Sequence, residues 1–282
     1  MVITTFKNPK RLRKSLLTVT RQTYPRLEII VVDGSNWQTN ETVAREFGNK
    51  IIYKEVEPEV VDWEGAKAVQ HQRNIGCKCA KGKWIAMLDD DDEWDKDKIK
   101  KQIEVTEYGN QVIKMDFVSL ITCWTKTHTE NGVFFDKPTR IIDYKSLLKN
   151  FNLSNTSSYL IRKKTLEEVG WWDENIRGMH EYDVALKIAK NKHFIYSVRE
   201  PLLIRNRDYH EQLGSMYWKI AEQFEFWKKY GGDVFKELGY SAGIFKGITT
   251  VGLIGMYSMG YVFKNKIWNV IYPIKDMYEE NV

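Results

Sequence analysis

Along the first third of the chain, blocks of consecutive apolar residues alternate with stretches whose apolar positions recur every three or four residues. The blocks predict buried strands and the spaced stretches predict helices. Residues 2–6 form the first such strand. Pro9 then opens a helix with Leu12, Leu16 and Val19 on one face, which stops before Pro25. Residues 27–32 predict a second strand ending at Asp33-Gly34-Ser35, and a helix follows from about Thr39 to Phe47. Residues 51–56 read as a strand, 66–80 as a helix, and 84–88 as a strand again. This alternation predicts an α/β fold, a mostly parallel sheet with flanking helices. The strand ends then gather Thr5, Phe6, Asp33 and Asp89 to Asp92 at one edge, where open α/β sheets bind their ligands.

The second half is patterned less sharply. Residues 97–108 suit an amphipathic helix with Ile99 and Ile103 inward, and residues 115–124 an apolar strand. Asn131-Gly132 marks a hairpin before residues 133–135. Helices are expected from Lys164 and from residues 179–183, the latter with Val184 and Ile188 facing the core. Residues 216–230 predict an aromatic-rich helix ending at Gly231-Gly232. Residues 247–263 carry no charge, yet Gly247, Gly252, Gly255 and Gly260 interrupt them. That run falls short of the roughly 20 residues a spanning helix needs. Lys264, Lys266, Trp268 and Tyr272 follow it, so segment 243–275 suits a peripheral anchor on an anionic leaflet. Packing on the main domain, or on a second subunit in a homo-oligomer, suits it equally. The expected organisation is a domain over 1–215, in halves 1–105 and 106–215, with a C-terminal helical extension over 216–282.

Composition narrows this only slightly. A chain with 43% hydrophobic and 29% charged residues is an ordinary globular protein. Its net charge of +5 suits anionic ligands or an anionic membrane surface and is too weak to argue for nucleic acid. Cys77, Cys79 and Cys123 close no disulfide framework, and Cys77-Lys-Cys79 lacks a second pair for zinc. Buried thiols and the lack of a signal-peptide pattern lead to the expectation of a cytoplasmic protein, peripheral on the cytoplasmic membrane face if the anchor operates.

The acidic block Asp89-Asp-Asp-Asp92-Glu93-Trp94 changes the picture most. Adjacent carboxylates repel, and a folded chain tolerates them only with compensating positive charge. A divalent cation carrying a nucleotide diphosphate supplies that charge, and hard oxygen donors suit Mg²⁺ or Mn²⁺. An acidic run is more often a solvated face, but this one sits directly on a hydrophobic strand and closes in a tryptophan. An EF-hand loop fails, because Trp94 stands where its glycine belongs.

Thr5-Phe6 with Pro9, Gln22-Thr-Tyr-Pro25, Glu28-Ile-Ile-Val-Val-Asp-Gly-Ser35, Gln72-Arg-Asn74, Ala80-Lys-Gly82 and Leu88-Asp-Asp-Asp-Asp-Glu-Trp94 occur in this order. Over residues 2–105 they resemble the donor-binding half of the family 2 glycosyltransferases, which have the GT-A fold. The resemblance implies that Thr5 and Phe6 line the nucleotide pocket and that Asp33 accepts a hydrogen bond from the base. Arg73 would lie near the base or diphosphate, Asp89 and Asp90 beside the donor, and Asp91 on the metal. Residues 150–190 resemble the family again. Its usual Glu-Asp-x-Asp reads His180-Glu181-Tyr182-Asp183 here, so the catalytic base falls to Glu181 or Asp183. The helix dipole would keep both ionised, and a capping cluster is the plainer alternative. Glu200-Pro-Leu-Leu203, Arg205 and His210 echo the family's donor-side arginine and histidine more loosely, with His210 a candidate for the diphosphate or its metal or else a surface residue. The implied activity is a DxD-type, Mn²⁺- or Mg²⁺-dependent, inverting glycosyltransferase. It would move a sugar from a nucleotide-sugar donor, UDP favoured, to a glycan or lipid-linked acceptor. Two alternatives stay open: a degenerate sugar-binding or scaffold module, and a sugar nucleotidyltransferase. The second would need a glycine-rich loop after the first strand, and residues 7–11 hold no glycine.

Overall fold

The strand β1 (Val2–Thr5) is buried throughout and carries the parallel half of the sheet. On one side it pairs with β2 (Ile29–Asp33), which pairs with β3 (Ile51–Glu55); on the other it pairs with β4 (Trp84–Asp89), all in parallel. The computed structural model describes residues 1–35, 38–48, 51–56, 66–112, 118–150, 152–176, 178–206 and 209–250, except 242, 245 and 248. The side chains of 66–68, 108–112 and 209–222 lie outside that description.

The later strands extend the same sheet with mixed polarity. They are β5 (Asp92–Trp94), β6 (Val118–Thr129), β7 (Gly132–Asp136), β8 (Ile141–Ile142), β9 (Leu160–Arg162) and β10 (Phe194–Asn206). Along the sheet the order is β3-β2-β1-β4-β9-β6-β10-β5, with β7 on β6 and β8 on β10. Thus β9 runs antiparallel between β4 and β6, while β6 and β10 are parallel. The α/β class of the sequence reading holds; its parallel character resides in β1 to β4. The hairpin at Asn131-Gly132 forms as the β6–β7 turn.

Among the described residues, seven helices belong with the sheet: α1 (Pro9–Thr20), α2 (Gln38–Glu46), α3 (Ala66–Cys79), α4 (Lys98–Val112), α5 (Tyr144–Lys149), α6 (Lys163–Glu168) and α7 (His180–Lys190); α8 (Tyr209–Leu238) follows them in the chain. In α1, Pro9 sits in the first turn, where its missing N–H costs nothing, and the Asn8 side chain caps the Arg11 amide. The expected face of Leu12, Leu16 and Val19 is sealed, at 0–1% exposure. Each such side chain contributes about 1.5–3 kcal/mol by leaving water. Helix α3 lies unusually near the sheet at Gly76, where a Cβ would fall 2.3 Å from the Val2 Cγ1 and 3.0 Å from the Val32 Cγ2. This close approach sets the height at which α3 presents the neighbouring Arg73 and Asn74.

Beyond the short elements β5, β8 and α5, which the sequence pattern does not announce, three differences from the sequence reading have a clear physical cause. Strand β9 was not expected, because three residues between a 3₁₀ turn (Thr156–Ser158) and α6 carry too little pattern. Strand β10 was missed because Glu200-Pro201 interrupts it; the structure absorbs Pro201 in register shifts against β6. The aromatic-rich helix does not stop at Gly231-Gly232 but runs as α8 to Leu238. A helical glycine costs only about 1 kcal/mol, and the stop comes at Gly239, whose φ of +84° is left-handed.

The chain forms two compact units, Met1–Leu213 and Gly214–Val282. In the second, Phe226, Tyr230 and Val234 are buried, and Phe226 meets Trp227 edge-on at 5.9 Å. Most of segment 243–275, with Lys264, Lys266, Trp268 and Tyr272, lies outside the described residues. No helix among the described residues is long and apolar enough to cross a membrane.

Candidate active site

The parallel register brings the expected residues to one sheet edge. Thr5 lies beside Asp33 across β1–β2, and Thr4 beside Asp89 across β1–β4. The Thr4 hydroxyl donates to Asp89 Oδ1 at 3.1 Å and the Thr5 hydroxyl to Asp90 Oδ2 at 2.6 Å, and the Phe6 amide reaches Asp90 at 3.4 Å. Asp90 and Asp91 form the turn between β4 and β5. Ser15 of α1 holds that turn, donating to the carbonyl oxygens of Asp90 and Asp92 at 2.7 and 3.0 Å.

Arg73 enters from α3, almost fully buried, and its Nη2 donates to both oxygens of Asp89 at 2.9 and 3.1 Å. The Trp172 ring covers its guanidinium at 4.9 Å. Its Nε and Nη1 are buried without a hydrogen-bond partner among the described residues. Asp92 pairs with Arg205 of β10 and accepts from the Asn155 side chain at 2.9 Å. The charges of these four acids diverge accordingly. Burial pushes the Asp89 carboxyl up, but Arg73 outweighs it and holds the group below the usual range. Burial, with the Asp89 charge, lifts Asp90 to about 6 against its bond from Thr5. Burial and the three neighbouring carboxylates lift Asp91 to about 7. No protein group among the described residues donates a hydrogen bond to Asp91.

Asp33 sits differently from its neighbours. Its fully buried carboxylate accepts from the Ser35 amide and hydroxyl at 2.8 and 2.6 Å, from Asn40 at 2.9 Å and from the Tyr53 hydroxyl at 2.6 Å. These bonds occupy its lone pairs. Nothing in the spacing of Asn40 or Tyr53 announced them as its partners.

The opposite wall is the start of α7. Met179 precedes it at φ +45°, a left-handed conformation costly for a side chain of this size and held by its burial. The Glu181 carboxylate is one-third exposed and pairs with His180 Nε2 at 3.0 Å. Burial would raise Glu181, but His180 and Arg73 outweigh it and keep the group below its ordinary value. Asp183 instead points into the protein, 1% exposed, 3.9 Å from Lys187. The loop leading here is gripped by α3. Asn74 accepts from the Trp172 amide and donates to Glu174, Gln70 donates to the Ile176 carbonyl, and His71 meets Glu174 at 3.0 Å. One helix therefore holds the acid cluster through Arg73 and the α7 wall through Asn74. Sequence reading placed Arg73 but missed Asn74, Asn155 and Ser157, whose hydroxyl accepts from the Asp89 amide at 3.0 Å. The side chain of His210, at the start of α8, lies outside the described residues.

No group of three or more His, Cys, Asp or Glu side chains among the described residues is arranged to hold a metal ion alone. What the edge offers is Asp91, which no described side chain bonds and only the nearby Arg205 charge eases, beside Asp89 and Asp92, which are paired with arginines. That donor set fits a hard divalent cation whose remaining ligands come from phosphates and water.

The family model described as Glycosyl transferase family 2 matches residues 1–170. Over 148 residues the chain is 35% identical to the Escherichia coli UDP-Glc:alpha-D-GlcNAc-diphosphoundecaprenol beta-1,3-glucosyltransferase WfaP, covering 50% of this chain and 51% of that protein. The S. aureus TarS 1-349 structure in complex with UDP-GlcNAc aligns with TM-score 0.57 at 16% identity, over 73% of this chain and 58% of that one. The mannosyltransferase PcManGT from Pyrobaculum calidifontis, in complex with GDP-Man and Mn2+, aligns with TM-score 0.59 at 12% identity, over 98% of this chain and 78% of that one. The chain thus spans about half of WfaP and under two thirds of the TarS fragment.

Proposed function

The chain belongs to glycosyl transferase family 2, and from that premise we propose a metal-dependent, inverting transferase that uses a UDP-sugar. The carrying observation is the contrast between Asp91, which accepts no hydrogen bond from the described residues and is lifted by burial and its neighbouring carboxylates, and Asp89, paired with Arg73. Asp91 would hold Mn²⁺ or Mg²⁺ with the donor's diphosphate, and the bound ion would supply charge neutralisation at the leaving phosphates. Thr5 and Phe6 would border the nucleotide, and the spare Arg73 N–H groups suit a phosphate or base oxygen. Asp33, its bonds already filled, would act through Tyr53 and Ser35 or exchange one of them for a base N–H. His210 remains a candidate second ligand.

Glu181 would take the proton from the acceptor hydroxyl, which attacks the anomeric carbon opposite the leaving diphosphate. Its exposure supports that role over Asp183, which is sealed against Lys187, and its lowered pKa keeps it in the ionised form a base requires. The acceptor in WfaP's name is lipid-linked, and we extend that acceptor class, a sugar diphosphate on a lipid, to this chain. The division of 1–215 into donor and acceptor halves, with 216–282 as an appendage, follows the same reading. Calorimetric titration of UDP into the protein tests it. Affinity should rise at least tenfold with Mn²⁺ and lose that gain in Asp91→Asn; equal affinity with and without metal would refute the metal role.

A further inference from the structure

The β6–β7 hairpin carries groups that sugar transfer leaves unused. Lys126 lies opposite Phe135 and His128 opposite Val133, so these side chains share one face with Trp124. Val133 and Phe135 are nearly half exposed, at 46% and 45%. The Lys137 Nζ stands 5.4 Å from the Phe135 ring centre and 5.5 Å from that of Trp124, and the Arg199 guanidinium lies 5.7 Å from the Trp124 ring. The Trp124 indole is fixed by its N–H to the Pro138 carbonyl at 3.3 Å. Among the described residues, Lys126, Lys137 and Arg199 form no ion pair. The hairpin's other face carries Thr125 and Thr127; Thr127 aligns with Arg205, which meets Asp92. Docking and chemistry therefore occupy opposite faces.

We propose that this hairpin face docks the protein on an anionic phospholipid bilayer, with Lys126, Lys137 and Arg199 on headgroup phosphates and Val133 and Phe135 in the interfacial layer. Uncompensated cations interleaved with exposed apolar and aromatic side chains match such a surface in both charge and polarity. A stacked sugar fits less well, because cations already flank the Trp124 ring. A second copy would oppose like charges. The proposal makes no use of segment 243–275, and it goes beyond the transferase reading without depending on the donor.

The test is co-sedimentation of the full chain with vesicles of phosphatidylcholine alone or mixed with phosphatidylglycerol. Binding is expected only to the mixed vesicles. Lys137→Glu should weaken it about tenfold, Arg199→Glu similarly, and the pair Val133→Ser with Phe135→Ser by a comparable factor. All these side chains are exposed, so melting temperature and UDP affinity should match the parent and confirm the fold. A parent that ignores the mixed vesicles overturns the proposal, as does undiminished binding by the hairpin variants. Loss in the charge variants alone would indicate a site for a soluble polyanion or acidic protein and would also overturn it. A parent that fails to bind UDP yet binds vesicles would count against the transferase chemistry only.

Discussion

Arg73 and Asp89, sixteen residues apart, meet so that one guanidinium nitrogen reaches both carboxylate oxygens at 2.9 and 3.1 Å. The arginine is 2% exposed in its side chain, and the aspartate closes the strand that supplies the whole acidic cluster. This pair, with Arg205 on Asp92, leaves Asp90 and Asp91 as the cluster's members without an ion pair among the described residues.

Removing the cation should expose the cost of burying the carboxylate. Arg73→Met is expected to destabilise the fold by about 3–5 kcal/mol at neutral pH, since breaking a buried pair leaves a charge without compensation. In the parent, Asp89 titrates below its ordinary value, so its stabilising contribution is present above the unfolded value and lost as pH falls through the folded one. In the variant, burial acts unopposed and the folded carboxyl titrates higher, so acid relieves the penalty. The deficit measured by urea unfolding should therefore shrink from pH 7 toward pH 4. A deficit that stays constant with pH would contradict the assignment of the pair.

Glu181 and Asp183 should separate by the kind of damage their loss causes. Glu181→Gln should keep parental UDP affinity and melting temperature while sugar transfer slows by about 10²–10⁴-fold, the usual worth of a general base. Asp183→Asn, which disturbs a buried contact with Lys187, should lower the melting temperature instead. Full activity in the Glu181 variant would move the base elsewhere.

Lys98 offers a pH signature of its own. Its ammonium is fully buried, 4.1 Å from the Trp94 ring centre and bonded to Gln102 at 2.8 Å, and burial lowers it from 10.5 to about 8. Below pH 8 both folded and unfolded chains hold the proton, and the burial penalty is full. Between 8 and 10.5 only the unfolded chain holds it, so stability rises with pH across that window. Lys98→Met lacks this term. Its stability relative to the parent should fall by about 3 kcal/mol between pH 7 and pH 10.5. Parallel pH profiles for the two proteins would show that Lys98 is not the buried cation described.

Periodicity determined a good deal on its own. The apolar blocks at residues 2–6, 27–32 and 84–88 became β1, β2 and β4, because a strand buried on both faces needs apolar side chains at every position. The Leu12, Leu16 and Val19 stripe became the buried face of α1 for the matching helical reason. Parallel alternation alone then brought Thr5, Asp33 and Asp89 to one edge. The long-range partners carry no such local signature. Asp33 draws on Asn40 and Tyr53, Asp92 on Asn155 and Arg205, and Glu181 rather than Asp183 faces outward; these depend on how turns and helices seat against the sheet. Strand β10, broken in pattern by Pro201, forms because β5 and β6 supply its hydrogen bonds from either side. Local propensity is written residue by residue. Which acid is neutralised and which is left wanting a cation is decided by distances between segments as far as 113 residues apart, where Coulomb and desolvation energies of several kcal/mol follow packing rather than sequence spacing.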